Sequence, residues 1–349
     1  MSSERGFVPP RRWLVTGGLG FIGSHFIRIA LAERPELEIV NLDALTYAGN
    51  LMNLRDVECS SRYRFVRGDI SDPAAVEAAM APGVSAVVNF AAESHVDRSL
   101  IDAEPFKKTN VMGVRVLLDA AVRHRVARFL QVSTDEVYGD VVSGEFSEES
   151  PPSPSNPYSA SKAEGEALVL EYRRDRGVPM VITRGSNTYG PYQYPEKLIP
   201  LFITNLIDDE PVPLYGDGMQ IRDWLHAEDH ARGILHVLDA GVSGNVYNLA
   251  GGNSCTNLEI AHRLLAACGR SPLTHLRHVT DRPNHDRRYA MSGNKAHALG
   301  WRPRIPFEAG LSETVEWYKS NEDWWRRIKR GEFAAYCERQ YSARSEERA

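Results

Sequence analysis

Two adjacent acids, Asp135 and Glu136, end an apolar run in the sequence VSTDEVYGD. Carboxylates that are desolvated together repel each other, which raises the pKa of at least one of them. A pair whose pKa values are pushed apart supplies a neutral acid and an ionised base at one pH, as general acid–base catalysis requires. The alternative is that both acids lie in a polar loop or at the start of a helix, without a chemical role.

A second pair, Tyr158 and Lys162, could also move a proton. Asn156 and Pro157 suit the N-cap and the first position of a helix. The two side chains would then lie four residues apart on one helical face. A lysine cation, together with a nicotinamide cation, would lower the pKa of the phenol, and the phenolate could take a proton from a hydroxyl as a hydride leaves. The spacing alone is common on solvated helices, so this interpretation requires a dinucleotide site elsewhere.

Residues 16–23, TGGLGFIG, have the spacing of a dinucleotide-binding turn. Gly17, Gly20 and Gly23 follow an apolar strand and open a helix, where missing Cβ atoms let backbone N–H groups approach a pyrophosphate. Asp43 lies about 20 residues beyond Gly23, where its carboxylate would accept hydrogen bonds from the adenosine ribose and repel a 2′-phosphate. The sequence therefore predicts NAD rather than NADP, and the alternative is a purely structural glycine turn.

Strands and helices alternate through the first half of the chain, and the strands are almost wholly apolar, which is typical of a parallel sheet covered on both faces. The predicted fold class is α/β, with a Rossmann doubly wound parallel sheet and a smaller α/β C-terminal substrate-binding domain. After the first strand, strands are predicted at 37–43, 63–69, 84–92, 128–133, 178–184 and 244–252, and helices at 73–81, 105–122, 158–174 and 257–269.

Pro and Gly become frequent from about residue 188, which indicates loops and short elements rather than continued winding. The predicted boundaries are an NAD-binding domain of residues 11–186 plus about 225–250, a substrate-binding domain of residues 187–224 plus about 251–340, and a tail of residues 341–349. Because the carboxyl ends of parallel strands line the ligand crevice, Asp69, Ile70 and residues 91–94 join the predicted cofactor cleft.

The bulk composition excludes several classes of protein. The net charge of −5 and the pI near 6.1 argue against general binding of nucleic acid or of anionic membranes. The four cysteines form no CxxC pair and no metal-ligand spacing with histidine, so we expect reduced thiols and no metal site. The N-terminus has no apolar secretory core, and no apolar run reaches the ~18 residues of a membrane span, which predicts a cytoplasmic location.

Together these motifs resemble the nucleotide-sugar 4,6-dehydratases, a family of the extended short-chain dehydrogenase/reductases. The resemblance extends from Trp13 to about Tyr341 and is carried by the stretches TGGLGFIGSHF, LDALTYAGN, FAAESHVDRS, STDEVYGD, NPYSASKA, YGPYQYPEKLIPLFI, LYGDGMQIRDWLHAEDHARG and DRPNHDRRYA. Several of these stretches are long and specific, so chance similarity does not explain them.

The resemblance implies a reaction on dTDP-glucose in three stages, with tightly bound NAD that is regenerated in each turnover. Tyr158 would deprotonate the C4 hydroxyl while a hydride passes from C4 to NAD⁺, with Thr134 bonding the C4 oxygen and Lys162 orienting the nicotinamide ribose. Glu136 would then remove the acidified C5 proton, and Asp135 would protonate the departing C6 hydroxyl. Return of the hydride to C6 completes a net loss of water and serves 6-deoxysugar biosynthesis.

This chemistry sets a geometric condition on the two acids. A regular strand would point Asp135 and Glu136 to opposite faces. They converge on one sugar only if the backbone leaves strand geometry at Thr134.

The resemblance also assigns binding residues, no nucleic-acid partner, and a homodimer packed through the helices predicted at 105–122 and 158–174. For the cofactor the residues are Gly17, Gly20, Phe21, Ile22, Gly23, Asp43, Thr46, Asp69, Ile70, Ala91, Ala92, Ser94, Thr109, Tyr158, Lys162 and Thr188. For the nucleotide sugar they are Ser94, Thr134, Asn187, Glu196, Lys197, Leu198, Pro213, Tyr215, Arg222, Asn257, Asp281, His285 and Tyr341.

The chain departs from the family pattern at one position. Family members usually have Asn-Asn before YGP, whereas this chain has Asn187-Thr188, which leaves the cofactor contact of the second position open. Relatives that act on UDP-glucose also vary there, so UDP-glucose is the alternative substrate. A sugar 4-epimerase typically lacks the Asp-Glu pair and a UDP-glucuronate decarboxylase usually has Ser at the first position, so Asp135 favours a dehydratase. A non-catalytic NAD-binding regulator would have no reason to keep all five catalytic residues.

Overall fold

A central parallel sheet organises the chain, whose computed structural model describes residues 11–81, 83–283 and 285–330. The strands of the described chain are β1 Arg12–Thr16, β2 Glu38–Asp43, β3 Tyr63–Arg67, β4 Ala86–Asn89, β5 Arg128–Thr134, β6 Met180–Gly185, β7 Asn187–Tyr189, β8 Val212–Tyr215, β9 Ile221–His226, β10 Val246–Leu249, β11 Ser254–Thr256 and β12 Leu276–Val279.

The helices of the same residues are α1 Phe21–Glu33, α2 Pro73–Met80, α3 Val96–Ile101, α4 Glu104–Lys107, α5 Val114–Arg123, α6 Pro157–Arg176, α7 Leu198–Ile207, α8 Ala227–Ala240, α9 Asn257–Ala267, α10 Pro272–His275, α11 Asn294–Leu299, α12 Phe307–Ser320 and α13 Glu322–Lys329. Short 3₁₀ turns span Leu51–Leu54 and Asp135–Tyr138, and a π-helical stretch spans Lys108–Gly113. None of these described helices is both long and apolar enough to span a bilayer.

The central sheet contains seven strands in the order β10-β6-β5-β4-β1-β2-β3, and all of its pairings are parallel. Helices cover both faces, which explains why the strands are almost wholly apolar in sequence. The strand order reverses between β1 and β4, and ligands of open parallel sheets bind at such a switch point. The predicted α/β doubly wound class is confirmed.

Alternate residues of β1 show how the two faces are packed. Trp13 is buried on one face with Phe26 of α1 and Ile234 of α8. The next residue, Leu14, is buried on the other face with Leu117 of α5. Each such side chain contributes ~1.5–3 kcal/mol relative to exposure, so the two helical layers fix the sheet between them.

The remaining strands form two smaller sheets, β11-β9-β7 and β12-β8. Helices α7, α9, α12 and α13 pack with them around a third apolar core that includes Phe202 and Trp325. Residues 294–301, which the sequence groups with the substrate-binding domain, instead contribute Ala296 and Trp301 to the core beneath α1 and α8. The reason is that α11 packs on α8 and β10.

Helix α6 begins where the sequence predicts. The Asn156 side chain accepts a hydrogen bond from the Ser159 N–H at 2.9 Å, and the Ser159 hydroxyl accepts one from the Asn156 N–H at 3.2 Å. This reciprocal cap satisfies two N–H groups that the helix itself leaves unpaired. Pro157 occupies the first turn, and Gly177 ends the helix with φ 69°.

The helix predicted at 105–122 is not regular, because α4 and α5 are joined by the π-helical stretch. The Asn110 side chain exchanges two hydrogen bonds of 3.0 Å with the Glu93 backbone. Helix α6 also lies close to the π-helical stretch at Gly165, where a Cβ atom would be 2.5 Å from the backbone oxygen of Asn110. The irregular turn brings Thr109 to the cleft described below.

Candidate active site

The glycine turn after β1 is shaped by close backbone contacts. Gly17 has φ 67°, and a Cβ atom there would lie 2.6 Å from the Ala91 nitrogen. A Cβ atom on Gly23 would lie 2.5 Å from the Gly17 oxygen. Any side chain at these positions would therefore collide with backbone. The turn keeps an open surface at the N-terminus of α1, where N–H groups and the helix dipole favour a pyrophosphate.

Asp43, at the end of β2, ties the glycine turn to the next loop. Its carboxylate accepts hydrogen bonds from the N–H groups of Leu19 at 2.9 Å and Leu45 at 2.8 Å. Burial raises the pKa of Asp43, and the two backbone hydrogen bonds oppose that rise by favouring the ionised form. The residue lines the cleft at the position expected for a ribose contact.

The carboxyl ends of the central strands open onto a cleft of about 310 Å³. This volume and its place at the switch point suit an extended dinucleotide. Every cofactor residue assigned from the resemblance lines the cleft, namely Gly17, Gly20, Phe21, Ile22, Gly23, Asp43, Thr46, Asp69, Ile70, Ala91, Ala92, Ser94, Thr109, Tyr158, Lys162 and Thr188.

The backbone leaves strand geometry at Thr134, as convergence of the two acids requires. Strand β5 ends at Thr134, and a 3₁₀ turn begins at Asp135. The Thr134 hydroxyl accepts a hydrogen bond from the Glu136 N–H at 3.3 Å and donates one to Asp135 Oδ1 at 3.1 Å. Successive side chains in a 3₁₀ turn are about 120° apart rather than opposed, so both acids line the same cleft.

Burial raises the pKa of both acids, but their surroundings differ. The pKa of Asp135 rises to about 8, through burial first and the negative charge of Glu136 second. Burial also raises the pKa of Glu136, but the cations Arg282, Lys197 and Arg222 oppose that rise. Asp135 is therefore the group held neutral near pH 7. Asp135 Oδ2 and Glu136 Oε2 are buried and have no hydrogen-bond partner among the described residues.

We expect kcat/KM to fall as the pH rises through about 8. Below that pH, Asp135 carries the proton that a departing hydroxyl needs, and above that pH the proton is lost. Initial rates across a pH series would measure the effect, with circular dichroism at each pH to show that the fold is intact. A rate that stays constant through this range would contradict the assignment of Asp135 as the acid.

Tyr158 and Lys162 both line the cleft, but the surrounding protein does not make the phenol acidic. Burial raises the pKa of Tyr158, the charge of Glu136 adds to the rise, and a hydrogen bond with Thr134 opposes it. Lys162 Nζ donates to the Val132 oxygen at 2.7 Å, and burial lowers its pKa to about 8. The sequence predicts that Lys162 lowers the pKa of the Tyr158 phenol, but the protein groups around the phenol do not produce that lowering by themselves. A further cation in the cleft is required to favour phenolate.

Thr188, the departure from the family pattern, bonds a buried histidine. Its hydroxyl lies 2.7 Å from His230 Nδ1 and donates to the Ser186 oxygen at 3.1 Å. Because the Thr188 hydroxyl donates its own proton to the Ser186 backbone oxygen, it accepts from His230. His230 Nδ1 therefore carries the imidazole proton, and Nε2 is an acceptor. Burial lowers the pKa of His230 to about 4, which keeps the ring neutral. Nε2 has no partner among the described residues and the ring lines the cleft, so Thr188 sets the tautomer of a cleft residue.

Replacing Thr188 by valine should weaken NAD retention roughly ten-fold, because the isosteric side chain leaves buried His230 Nδ1 without its partner. Bound NAD would be measured by equilibrium dialysis of the purified protein. Thr183→Val is the matched control, because Thr183 is buried in β6 and its hydroxyl has no hydrogen-bond partner among the described residues. Equal NAD retention in the two variants would contradict the role given to Thr188.

A second cavity of about 150 Å³ adjoins the first, because Glu136, Asn187, Glu196 and Lys197 line both. The other predicted substrate residues that line the second cavity are Leu198, Pro213, Tyr215, Arg222, Asn257 and His285. Ser94 and Thr134 line the first cleft instead. The structure thus brings the two predicted sets together around the acid pair.

Two guanidinium groups, Arg222 and Arg282, line the second cavity. Arg222 donates to the backbone oxygen of Asp286 at 2.8 Å, and its guanidinium lies 4.0 Å from the centre of the Tyr289 ring. Arg282 Nη1 lies 3.4 Å from Asp97 Oδ1. Paired guanidinium groups in a partly closed cavity match the charge and the oxygen geometry of a diphosphate.

Comparison with known proteins shows the family. A family model described as GDP-mannose 4,6 dehydratase matches residues 14–314. The chain belongs to the nucleotide-sugar 4,6-dehydratase family. It is 50% identical over 318 residues to the dTDP-glucose 4,6-dehydratase of Actinoplanes sp., which covers 89% of this chain and 99% of that protein. The dTDP-glucose 4,6-dehydratase of Neisseria meningitidis serogroup B is 44% identical over 346 residues, covering 93% and 97%.

The chain is similar to solved structures of both dehydratases and sugar epimerases. The dTDP-glucose 4,6-dehydratase of Streptomyces venezuelae, with NAD bound, has a TM-score of 0.89 and 49% identity, covering 91% of this chain and 100% of that chain. The UDP-glucose 4-epimerase of Thermus thermophilus, in complex with NAD, has a TM-score of 0.82 and 32% identity, covering 89% and 99%. Dehydratases and epimerases therefore share this fold, so the fold alone does not separate the two activities. The residues that can separate them are the acid pair, Asp135 and Glu136.

One substrate residue assigned from the dehydratase family, Asp281, lies outside both cavities. The Asp281 carboxylate bonds His285 Nδ1 at 2.6 Å and Gln220 Nε2 at 2.8 Å, and it lines neither cavity. Both Asp281 oxygens thus bond protein donors here, and its contact with the substrate stays a prediction. Tyr341 lies outside the described residues.

The residue assignments from the dehydratase family also missed side chains that the structure places in the cavities. Tyr289 lines the second cavity, and His230 and Gln193 line the first. The only signal in the sequence was their presence in the stretches that carry the family resemblance, DRPNHDRRYA, LHAEDHARG and YGPYQYPEK.

Proposed function

We propose that this chain dehydrates dTDP-glucose to dTDP-4-keto-6-deoxyglucose, a step of 6-deoxysugar biosynthesis. The supporting observation is the acid pair. Asp135 is held neutral to about pH 8 beside Glu136. Each has an oxygen without a hydrogen-bond partner among the described residues, in the cleft that Tyr158 also lines. The relatives named dTDP-glucose 4,6-dehydratase support the same substrate.

NAD fits the first cleft by the chemistry of its residues. Gly17 and Gly23 keep the turn open to a pyrophosphate, and the Asp43 carboxylate is an acceptor at the expected ribose position. Bound NAD would accept a hydride from C4 and return it to C6. The related structures from Streptomyces venezuelae and Thermus thermophilus contain NAD, which supports the same cofactor here.

The oxidation at C4 would use three residues of this chain. Tyr158 takes the proton of the C4 hydroxyl, and Thr134, which already hydrogen-bonds Tyr158, binds the same oxygen. Lys162, held by the Val132 carbonyl, would orient the nicotinamide ribose, and the nicotinamide would supply the further positive charge that favours phenolate. The C4 hydroxyl becomes a carbonyl, which acidifies the proton at C5.

The elimination would use the acid pair. Glu136 removes the C5 proton through Oε2, which bonds no group of the described chain, and Asp135 gives its proton to the C6 hydroxyl, which leaves as water. After this step Asp135 is ionised and Glu136 is protonated. When the hydride has been returned to C6, Glu136, exchanged with solvent, would give a proton to C5, and the proton that Tyr158 took from the C4 hydroxyl would pass through solvent to Asp135, which restores all three groups. Arg282, Lys197 and Arg222 stabilise Glu136 as the ionised base before the step.

The proposal is tested by incubating the purified chain with dTDP-glucose or UDP-glucose, without added NAD. We expect a 4-keto-6-deoxy product, seen by NMR, and deuterium at C5 when the reaction is run in D₂O. Protein freed of NAD by denaturation serves as the control. Absence of product from both substrates would overturn the proposal, and absence of deuterium at C5 would exclude proton removal by Glu136.

UDP-glucose is the second candidate substrate, because Thr188 departs from the family pattern at a position where UDP-glucose relatives also vary. The chemistry at the sugar would be the same, since the acid pair does not contact the base. The ratio of kcat/KM for the two nucleotide sugars in the assay above decides between them. A product without loss of water would indicate an epimerase, and bound NAD without any turnover would indicate a regulator.

We also propose that the chain is a homodimer. Three exposed apolar side chains lie on α3, the π-helical stretch and α6, which pack together: Ile101 is 74% exposed, Met112 59% and Leu170 41%. Apolar groups gathered on adjacent helices favour a protein partner. Sedimentation equilibrium should give a dimer, which Met112→Glu weakens. Leu273→Glu should not weaken it, because Leu273 is 96% exposed on α10, which packs on α9 and β12. A monomeric wild-type chain would overturn the proposal.

We propose two domains, an NAD-binding unit of 11–186 plus about 225–250 and a nucleotide-sugar-binding unit of 187–224 plus about 251–340. The packing of Ala296 and Trp301 in the core beneath α1 supports one change to these boundaries, which moves residues 294–301 from the second unit to the NAD-binding unit. Limited proteolysis with NAD bound should protect fragments of the first unit. Cleavage inside the central sheet before any loop of the second unit would contradict the division.

We propose a cytoplasmic location. Cys59, Cys255 and Cys268 are free thiols in the described chain, as expected of a reducing compartment. Fractionation of cells that express the tagged chain should recover it with cytoplasmic markers, and recovery with secreted or membrane fractions would contradict this.

A further inference from the structure

Three segments that are distant in sequence meet at the carboxylate of Glu196. The Tyr47 hydroxyl donates to Glu196 Oε1 at 2.9 Å, and Arg98 Nε donates to Oε2 at 3.1 Å. The Arg98 guanidinium also lies 4.0 Å from the centre of the Tyr47 ring. The Glu196 side chain is only 1% exposed, so its charge depends on these donors.

Tyr47 belongs to the loop that borders the cofactor cleft. Its neighbours Thr46 and Ala48 line that cleft, but Tyr47 lines neither of the two cavities. Its hydroxyl instead reaches Glu196, and its ring packs edge-on against Tyr194 at 5.3 Å between centres. Tyr47 can therefore act on the ligands only through other residues.

Glu196 belongs to the segment that borders both cavities. Glu196 and Lys197 line the cofactor cleft and the second cavity. Lys197 Nζ donates to the Ser94 oxygen at 2.7 Å, and its charge acts on Glu136. Because Glu196 and Lys197 are adjacent in one backbone segment, a shift of Glu196 would move the Lys197 ammonium relative to the acid pair.

We propose that Tyr47 is a positioning residue that couples the two cavities. When the conformation of the cofactor-side loop changes, Tyr47 moves Glu196, and Glu196 in turn moves Lys197 beside the substrate. The identity of the two ligands rests on the proposed function. A loop ordered by the dinucleotide holds Glu196 and Lys197 ready for the nucleotide sugar. Linkage then requires that a bound nucleotide tightens the dinucleotide by the same factor.

The test measures NAD release from the NAD-loaded enzyme, with and without dTDP, by exchange against an excess of isotope-labelled NAD. In the wild-type chain we expect dTDP to slow the release. Tyr47→Phe keeps the ring beneath the Arg98 guanidinium and removes only the hydroxyl. We expect this variant to lose most of the slowing, a drop of roughly five- to ten-fold in the coupling factor. We also expect KM for the nucleotide sugar to rise roughly ten-fold while kcat changes less than about two-fold.

Tyr172→Phe is the matched control, because the Tyr172 hydroxyl also donates to a carboxylate, Asp119 Oδ1 at 2.7 Å, and neither residue lines a cavity. It should keep the coupling and KM of the wild-type chain. Arg98→Gln, which removes the second donor to Glu196, should reduce the coupling as Tyr47→Phe does.

Two results would overturn the proposal. The first is wild-type coupling in Tyr47→Phe or in Arg98→Gln. The second is a loss of NAD and of melting temperature in Tyr47→Phe that is the same with and without dTDP, which marks a purely structural tyrosine. The release assay needs no turnover, so a failure of the proposed dehydration would appear separately, as absence of product from the wild-type chain.

Discussion

Replacing Asp135 by asparagine should lower kcat for dehydration by about a hundred- to ten-thousand-fold while the oxidation at C4 changes little. Asparagine keeps the size of the side chain and can still accept the Thr134 hydrogen bond, but it has no acidic proton to give to the C6 hydroxyl. The sugar is oxidised and the hydroxyl then leaves slowly. Reduced nicotinamide should therefore accumulate, and rapid-mixing absorbance would measure it.

The matched control for this variant is Asp140→Asn, in the same stretch of sequence. Asp140 is exposed and accepts a hydrogen bond from the Arg288 N–H at 2.6 Å outside both cavities. It should react at close to the wild-type rate without accumulating reduced nicotinamide. If oxidation and elimination slow equally in Asp135→Asn, the acid role of Asp135 is wrong.

Replacing Tyr158 by phenylalanine should give the opposite pattern, with kcat lower by about a hundred- to ten-thousand-fold and no accumulation of reduced nicotinamide. Without the phenol, no group takes the C4 proton as the hydride leaves. The ring itself should still fit, because Tyr158 packs edge-on against Phe106 at 6.3 Å between centres. The same absorbance experiment, in single turnover, would measure the first step directly.

Tyr247→Phe is the control for this variant, because the Tyr247 hydroxyl accepts a hydrogen bond from the Val242 N–H, away from the cavities. Binding of dTDP, measured by calorimetry, should be unchanged in both variants, which separates a chemical defect from a misfolded site. Formation of reduced nicotinamide at the wild-type rate in Tyr158→Phe would exclude Tyr158 as the base.

The parts of the site that the sequence predicts well depend on local rules. Gly17 and Gly23 are required by close backbone contacts within one turn, and Asn156 caps a helix through a residue three positions away. The strand ends are equally local, because an apolar run that stops at a polar residue marks the edge of a parallel sheet. These rules need no knowledge of what the rest of the chain does.

The parts that the sequence does not predict depend on contacts between distant residues. The Tyr47–Glu196 hydrogen bond joins positions that are 149 residues apart. The direction of the Tyr158 pKa depends on burial by several segments, and the spacing of Tyr158 and Lys162 says nothing about burial. Asp281 has the composition of a ligand contact, yet its oxygens are taken by His285 and Gln220. All three features depend on how distant segments pack together, and the spacing of residues along a single sequence does not show that packing.

The late return of the chain to the central sheet has a consequence during synthesis. Strand β6 ends at Gly185, but its neighbour β10 begins only at Val246, after β7, α7, β8, β9 and α8. A nascent chain that has emerged only through α8 therefore carries a six-stranded sheet whose β6 edge has unpaired N–H and C=O groups. Such an edge can recruit a strand from another nascent chain. Arrival of residues 246–249 pairs that edge, so the ribosome must make β7, α7, β8, β9 and α8 before β6 is protected from aggregation.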